Sequence, residues 1–170
     1  MTRCFVAFDL SDAARAACLD AQALLDESQR KTAAESLHLT IKFLGDVDVE
    51  TCAKPMFDAL GAPPRVRLGA ARVTGFPSAR RAKIVVLACE GDAALAELAK
   101  RADDEGFARG VPRDEHAFTP HVTLARSKSP IDVRRVAKRF GARDLGAPTR
   151  FVLYESRAGK YIALAQIPSK

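Results

Sequence analysis

HLTI, residues 38–41, and HVTL, residues 121–124, are the two stretches from which the fold of this sequence can be worked out. Each tetrapeptide is a histidine, an apolar residue, a threonine and a second apolar residue, and the pair uses two of the 3 histidines in the 170-residue chain. Apolar and polar residues alternate in both, which is typical of a β-strand with one buried face. The repeated pattern indicates two strands that contribute to one site.

Strand geometry divides each tetrapeptide between two faces. Side chains at positions i and i+2 of a strand point to the same side. His38 and Thr40 therefore share one face, and Leu39 and Ile41 are expected to pack behind them. The segment 121–124 repeats this arrangement. If the two strands face each other, they form a cleft with two imidazoles and two hydroxyls.

Two imidazoles suit a reaction in which one proton is removed and another is supplied. The pKa of histidine is about 6.5, so one ring can act as a base while the other acts as an acid. Phosphodiester cleavage has this requirement, because a water or hydroxyl loses a proton and the leaving alkoxide gains one. Threonine hydroxyls can donate hydrogen bonds to the phosphate oxygens. The scheme needs no metal or other cofactor, and no cluster of carboxylates accompanies the histidine strands.

The composition is that of a globular protein with a basic surface. Apolar residues make up 48% of the chain and charged residues 28%, which is typical of a chain that buries a substantial core. The net charge of +6 favours a polyanionic partner such as nucleic acid. No apolar run reaches the roughly 18 residues of a membrane span, and acidic residues interrupt the start MTRCFVAFDLSD. We expect a cytoplasmic monomer with no membrane partner.

Four cysteines lie far apart in the chain: Cys4, Cys18, Cys52 and Cys89. They form no C-x-x-C pair and have no histidine nearby, so neither a zinc site nor a disulfide scaffold is indicated. Buried free thiols in a reducing compartment are expected.

Periodicity predicts an α+β fold in which helices alternate with strands and hairpins. Helices are expected over about 11–28, 49–60, 92–106 and 131–140, and strands over 3–10, 37–44, 66–73, 84–89, 121–126, 150–156 and 161–167. The short connections favour two largely antiparallel sheets that face a central cleft, with the helices outside. Residues 1–170 are expected to form one bilobal domain, in which each lobe contributes one histidine strand.

Five stretches carry a family resemblance: RCFVAFDL, HLTIKFLGD, GFPSARRAKIVVL, FTPHVTLARS and YESRAGKYIAL. In this order they resemble the bacterial and archaeal RNA 2′,3′-cyclic phosphodiesterases, also called 2′–5′ RNA ligases, of the 2H phosphoesterase superfamily. One departure is the strand KIVVLAC, where family members often carry a tryptophan.

The resemblance implies hydrolysis of an RNA 2′,3′-cyclic phosphate end to a 2′-phosphomonoester, with 2′–5′ ligation as the reverse reaction. It implies that His38 protonates the leaving oxygen, that His121 deprotonates water, and that Thr40 and Thr123 hold the phosphate. Two alternatives stay open. One is hydrolysis of a cyclic phosphate on a small nucleotide or ADP-ribose-type molecule, or exonuclease action on RNA ends. The other is a non-catalytic RNA-binding module.

Two cations next to the motifs are candidate ligands of the substrate. Arg126 matches the arginine that follows the second motif of the family, where it is expected to bind phosphate. Strict alternation places it on the face opposite His121, so it reaches the cleft only if the strand twists, bulges or ends there. Lys42 is in phase with His38, and it either lines the cleft and contacts RNA or faces solvent.

The remaining candidates for RNA contact are aromatic rings and a basic loop. Phe43 and Phe118 are expected to pack in the core, and stacking on a base is the alternative. Arg80 and Arg81 lie in the basic loop 75–83, which is expected to contact the RNA backbone.

Overall fold

The computed structural model describes residues 1–169. Within this range the strands are β1 (Thr2–Asp9), β2 (Arg30–Lys31), β3 (His38–Val47), β4 (Leu68–Phe76), β5 (Ala82–Gly91), β6 (His121–Ile131), β7 (Arg143–Gly146), β8 (Arg150–Arg157) and β9 (Lys160–Pro168). The α-helices are α1 (Asp12–Ala23), α2 (Lys54–Leu60), α3 (Ala93–Phe107) and α4 (Arg134–Phe140). The chain is therefore α+β, as predicted.

All strand pairs are antiparallel, and the strands follow the order β7-β4-β5-β6-β3-β1-β8-β9, with β2 on β6. The two expected sheets are the two halves of this one sheet. The halves meet between β6 and β3, where the register contains one pair of residues, Leu39 and Val122. Because β6 and β3 are adjacent in the sheet, the two histidine strands lie side by side at its centre.

The first helix begins as predicted and ends earlier. The Ser11 side chain accepts a hydrogen bond from the Ala14 amide at 3.1 Å, which caps the helix. The last helical residue is Ala23 and Leu24 is the C-cap, so the helix is shorter than the predicted range, which extends to residue 28. The Asp26 carboxylate accepts a bond from the Ser28 amide at 3.0 Å, so the backbone turns there and leaves the helix.

Most other elements form where they were predicted, but β6 extends to Ile131, beyond the predicted end at residue 126, and α4 begins at Arg134 and not at residue 131. Pro55 lies in the first turn of α2, after a π-helical turn at Val49–Ala53. The strands β2 and β7, of 2 and 4 residues, were not predicted. All four cysteines are buried and free, as expected. None of the helices within residues 1–169 is long and apolar enough to cross a membrane.

Candidate active site

The two histidine segments meet at the join between the sheet halves. Leu39 and Val122 are paired and fully buried. Antiparallel register then places the histidine of segment 38–41 beside the threonine of segment 121–124, and the reverse. Both histidines and both threonines are half-buried, whereas the apolar residues between them are buried. The expected division between a cleft face and a core face is therefore present.

A β-bulge interrupts β3 directly after its motif. The adjacent residues Val6 and Ala7 of β1 pair with Lys42 and Thr40, so Ile41 is an extra residue. An extra residue shifts the alternation by one position. Ile41 and Lys42 are accordingly both buried, although they are neighbours in a strand.

The second motif is followed by a bulge at the same place. Val85 and Val86 of β5 pair with Ala125 and Thr123, so Leu124 is the extra residue. Leu124 and Ala125 are both fully buried. The shift brings Arg126, the residue after Ala125, back to the face of β6 that carries His121.

The carbonyl of Leu124, which the bulge removes from the ladder, has two other partners. The buried Gln22 side chain of α1 donates to it at 2.9 Å, and the Thr32 amide donates at 2.8 Å. The Thr32 hydroxyl also donates to the Thr123 carbonyl at 2.9 Å. Since a buried carbonyl without a partner destabilises the fold, these bonds hold the bulge in place.

The bulges decide which neighbouring residues face the cleft. Arg126 is exposed and lines the cleft with His121. Phe43 also lines it, and 61% of its surface is exposed, so the expected core position of this ring is wrong. Its ring centroid lies 5.8 Å from that of Phe5, which contacts His38.

The expectation for Lys42 is corrected by the same bulge. Lys42 is 2% exposed, so it neither faces solvent nor lines the cleft with its ammonium group. Its Nζ donates to Asp103 at 2.7 Å, to Asp114 at 2.8 Å and to the Pro112 carbonyl at 3.0 Å. Strict alternation put Lys42 in phase with Thr40, and the extra residue between them turns it to the opposite face. It is not a candidate for RNA contact.

The cleft has a volume of about 320 Å³ and is lined by residues of both sheet halves. Its walls include His38, Thr40, Phe43, His121, Thr123, Arg126, Arg3, Phe5, Phe76 and Tyr161. Among the described residues that line it, the permanently charged ones are both arginines, so the cleft suits an anion. The sequence did not predict Arg3 or Tyr161 as cleft residues. Arg3 reaches the cleft because β1 pairs with β3, and Tyr161 reaches it because β9 pairs with β8, which in turn pairs with β1.

His38 is fixed in one orientation. Its Nδ1 lies 2.8 Å from the Ser36 carbonyl, which can only accept, so Nδ1 carries a proton. Its Nε2 lies 3.0 Å from the Thr40 hydroxyl. The Phe5 and Tyr161 rings lie 4.9 and 5.1 Å from the imidazole, centroid to centroid. Nε2 is therefore the atom available for proton transfer.

The pKa of His38 lies below its ordinary value. Burial is the main cause, and the positive charge of a protonated His121 lowers the pKa further. The hydrogen bond to Ser36 and the negative charge of Asp9 act in the opposite direction. In the free protein the neutral imidazole is therefore favoured.

Asp9 is held next to this histidine by two side chains. It pairs with His38 in the β1–β3 register and is buried. The Tyr154 hydroxyl donates to its carboxylate at 2.6 Å, and Arg150 Nε donates at 2.8 Å. Burial and the neighbouring Asp9 both raise the pKa of Tyr154, so the phenol stays protonated and remains a donor.

His121 repeats the geometry of the first histidine. Its Nδ1 lies 2.7 Å from the Thr119 carbonyl, two residues earlier, as Ser36 is two residues before His38. The Phe76 ring meets the imidazole edge-on, with centroids 5.1 Å apart. Both histidines thus present Nε2 for chemistry and keep Nδ1 bound to the backbone.

The other predicted RNA contacts lie outside the cleft. Phe118 is half-buried and packs against the core, as expected. Arg80 and Arg81 are exposed in the turn between β4 and β5, and neither lines the cleft. Hydrogen bonds from Arg134 are the main cause of the lowered pKa of Asp132, and the positive charge of Arg80 lowers it a little further. A role in contact with RNA beyond the cleft stays a prediction.

Residues 9–155 match the sequence profile of the 2′-5′ RNA ligase superfamily, and this range contains both histidine segments. The chain belongs to the 2′-5′ RNA ligase superfamily. A curated RNA 2′,3′-cyclic phosphodiesterase of Methanothermobacter thermautotrophicus is 27% identical over 145 residues, which cover 82% of this chain and 78% of the relative. The superfamily assignment agrees with the resemblance of the motifs.

Two solved structures of similar proteins have the same fold as this chain. E. coli LigT in complex with 3′-AMP is 26% identical and superposes with a TM-score of 0.79, covering 98% of this chain and 97% of LigT. The protein TT0787 of Thermus thermophilus is also 26% identical, with a TM-score of 0.75 and the same coverage. The antiparallel α+β architecture is therefore that of these proteins.

Proposed function

We propose that this protein hydrolyses RNA 2′,3′-cyclic phosphate ends to 2′-phosphomonoesters. The observation that carries the proposal is the pair of imidazoles that present Nε2 in one arginine-lined cleft, each fixed by the same bond from Nδ1 to a backbone carbonyl. The name of the archaeal relative and the 3′-AMP bound to LigT support a nucleotide phosphoester as substrate. The protein acts as one bilobal domain, a cytoplasmic monomer.

The two histidines divide the proton transfers between them. His121 Nε2 takes a proton from a water molecule as its oxygen attacks the phosphorus of the cyclic phosphate. The bond from phosphorus to the 3′-oxygen breaks, and His38 Nε2 donates a proton to that oxygen. The product carries a 2′-phosphate and a free 3′-hydroxyl, and the proton lost by His38 is balanced by the one gained by His121. This assignment follows the family resemblance.

The other polar groups of the cleft stabilise the phosphate. Negative charge on the non-bridging oxygens rises during attack, and the Thr40 and Thr123 hydroxyls donate hydrogen bonds to them. Arg126 and Arg3 supply positive charge. The phosphate in turn raises the pKa of His38, which favours the protonated form that the acid requires. A 5′-hydroxyl that attacks in place of water, with loss of its proton and of the same bond to the 3′-oxygen, gives a 2′–5′ linkage.

The test is the product formed from a short RNA that ends in a 2′,3′-cyclic phosphate, with EDTA present. We expect an end that, after nuclease digestion, co-elutes with the authentic nucleoside 2′-phosphate. A 3′-phosphate would show that the 2′-oxygen leaves and would contradict the proposal. Turnover of small cyclic nucleotides alone would support the alternative substrate class, and RNA binding without turnover would support a binding module.

A further inference from the structure

Asp9 lies between His38 and Arg150 on three adjacent strands. It is directly opposite His38 in the pairing of β1 with β3, and directly opposite Arg150 in the pairing of β1 with β8. Paired residues of antiparallel strands point to the same face, with Cβ atoms about 4.5–5.5 Å apart. The register therefore places a carboxylate beside the imidazole that acts as the acid in the proposed function.

His38 separates two cavities, the catalytic cleft and a second one of about 420 Å³, because it lines both. Asp9 and Tyr154 line the second cavity and not the cleft. A phosphate in the cleft therefore meets His38 and does not meet Asp9. Any effect of Asp9 on the reaction passes through the imidazole.

The Asp9 carboxylate is held in one orientation and carries a charge that water screens little. The Tyr154 hydroxyl donates to one of its oxygens at 2.6 Å, and Arg150 donates to the other from Nε at 2.8 Å and from Nη2 at 2.5 Å. The side chain of Asp9 is 11% exposed, whereas that of Arg150 is 50% exposed. Solvent screens the arginine more strongly, so the ion pair leaves a net negative field at His38.

The other titratable and charged groups around His38 do not duplicate this field. Those that line either cavity are Arg3 of β1, Glu35 before β3, His121 and Arg126 of β6, Tyr154 of β8, and Lys160 and Tyr161 of β9. Glu35 is the other carboxylate among them, and it is exposed. Asp9 is thus the one buried carboxylate among the described residues that line these two cavities.

We propose that Asp9 is a positioning residue for His38, which holds a buried negative charge beside the imidazole and so favours the protonated ring that the acid requires. The inference rests on the proposed function and adds a group outside the cleft on which the acid depends. Burial and a protonated His121 act against protonation of His38, and Asp9 opposes them. Tyr154 and Arg150 fix the carboxylate in the orientation that this needs.

The test compares Asp9→Asn with Tyr154→Phe. The first variant removes the negative charge and keeps the shape of the side chain, whereas the second removes one hydrogen bond and keeps the charge. The titration of His38, followed by NMR of the imidazole protons, is expected to move to lower pH in Asp9→Asn and not in Tyr154→Phe. Glu35→Gln is the matched control, because it removes an exposed carboxylate of the same cavity and should leave the titration in place.

Turnover provides a second readout. An opposite charge nearby changes a pKa by about 1–3 units, and Arg150 offsets part of the charge of Asp9, so kcat/KM of Asp9→Asn on RNA 2′,3′-cyclic phosphate should fall about 3- to 10-fold at pH 8. The loss should be smaller at pH 5, where more of His38 is protonated. A structural defect would lower the rate equally at both pH values.

Arg150→Gln tests the same charge without altering Asp9. Loss of the arginine leaves the carboxylate less compensated, so the His38 titration is expected to move to higher pH. This variant decides the matter if Asp9→Asn does not fold.

Two results would overturn the inference. One is a His38 titration that stays in place in folded Asp9→Asn or in Arg150→Gln, and the other is a rate loss in Asp9→Asn that is equal at pH 5 and pH 8. If the wild-type protein does not turn over the RNA, the proposed function fails. The titrations then still decide whether Asp9 acts on His38.

Discussion

Phe43 and Arg126 occupy equivalent positions in the two halves of the cleft. Each lies five residues after a catalytic candidate, His38 or His121, and each is brought to the cleft face by a bulge at the third residue after that histidine. One half of the sheet therefore contributes a ring where the other contributes a cation. The two histidine segments are alike, but the cleft has a polar end and an apolar end.

Arg126 lies at the polar end of the cleft, so Arg126→Ala is expected to weaken the interaction with the phosphate of the substrate. Loss of a charge-assisted hydrogen bond costs about 1.5–3 kcal/mol, so kcat/KM on a cyclic phosphate should fall roughly 10- to 100-fold. The control is Arg135→Ala, because Arg135 is exposed on α4 and outside the cleft. Steady-state kinetics of the two variants check the prediction. An Arg126→Ala rate equal to that of the control would remove Arg126 from the site.

Lys42 predicts a large effect on stability. Its ammonium group is buried and binds the carboxylates of Asp103 and Asp114. Lys42→Met removes the positive charge that Asp103 is paired with, so it should lower the free energy of unfolding by about 3 kcal/mol. Lys54→Met is the control, since Lys54 forms an exposed pair with Glu50 and should cost less than about 0.5 kcal/mol. Urea unfolding measures both. Equal effects would show that burial adds nothing to the Lys42 pair.

Because of Asp103, the difference in the free energy of unfolding between wild type and Lys42→Met is expected to depend on pH. Burial raises the pKa of Asp103, but hydrogen bonds from Lys42, the Asp114 amide and Arg113 outweigh burial and hold the pKa at about 2. A carboxyl whose pKa is lower in the folded state stabilises the fold above its unfolded pKa, and this contribution is lost as the pH falls towards the folded value. The stability difference between wild type and Lys42→Met should therefore shrink from pH 6 to pH 3. A constant difference would contradict the ion pair.

The parts of the site that occur in both histidine segments could be predicted from the sequence alone. His38, Thr40, His121 and Thr123 follow from one tetrapeptide and the period of a strand, and the structure brings all four to one cleft. Lys42 was misplaced because alternation holds only until a bulge, and the residues that fix a bulge lie elsewhere in the chain.

Contacts between distant strands account for what the sequence missed. Gln22 of α1 stabilises the bulge at Leu124, across 102 positions. Arg3 reaches the cleft because β1 pairs with β3. Neither relationship leaves a local pattern, so no periodicity could reveal it.

The pH profile of kcat/KM tests which histidine is the acid. Burial lowers the pKa of His38 in the free protein, and kcat/KM reports groups of the free enzyme. If His38 is the acid, activity falls as the pH rises through a value below about 6.5, and this value matches the NMR titration of His38. If the rising limb of the profile matches His38 instead, the roles of the two histidines are exchanged.

His38 and His121 are proposed to transfer the two protons of cyclic phosphate cleavage. The turnover rate of variants that lack one of these histidines tests this proposal most directly. The experiment follows an RNA 2′,3′-cyclic phosphate end, with EDTA present, in wild type, His38→Ala and His121→Ala. General acid and base catalysis each contribute about 10²- to 10⁴-fold, so each variant should lose at least about 10²-fold in kcat while still binding the RNA. Turnover at the wild-type rate by either folded variant would show that the histidine it lacks transfers no proton.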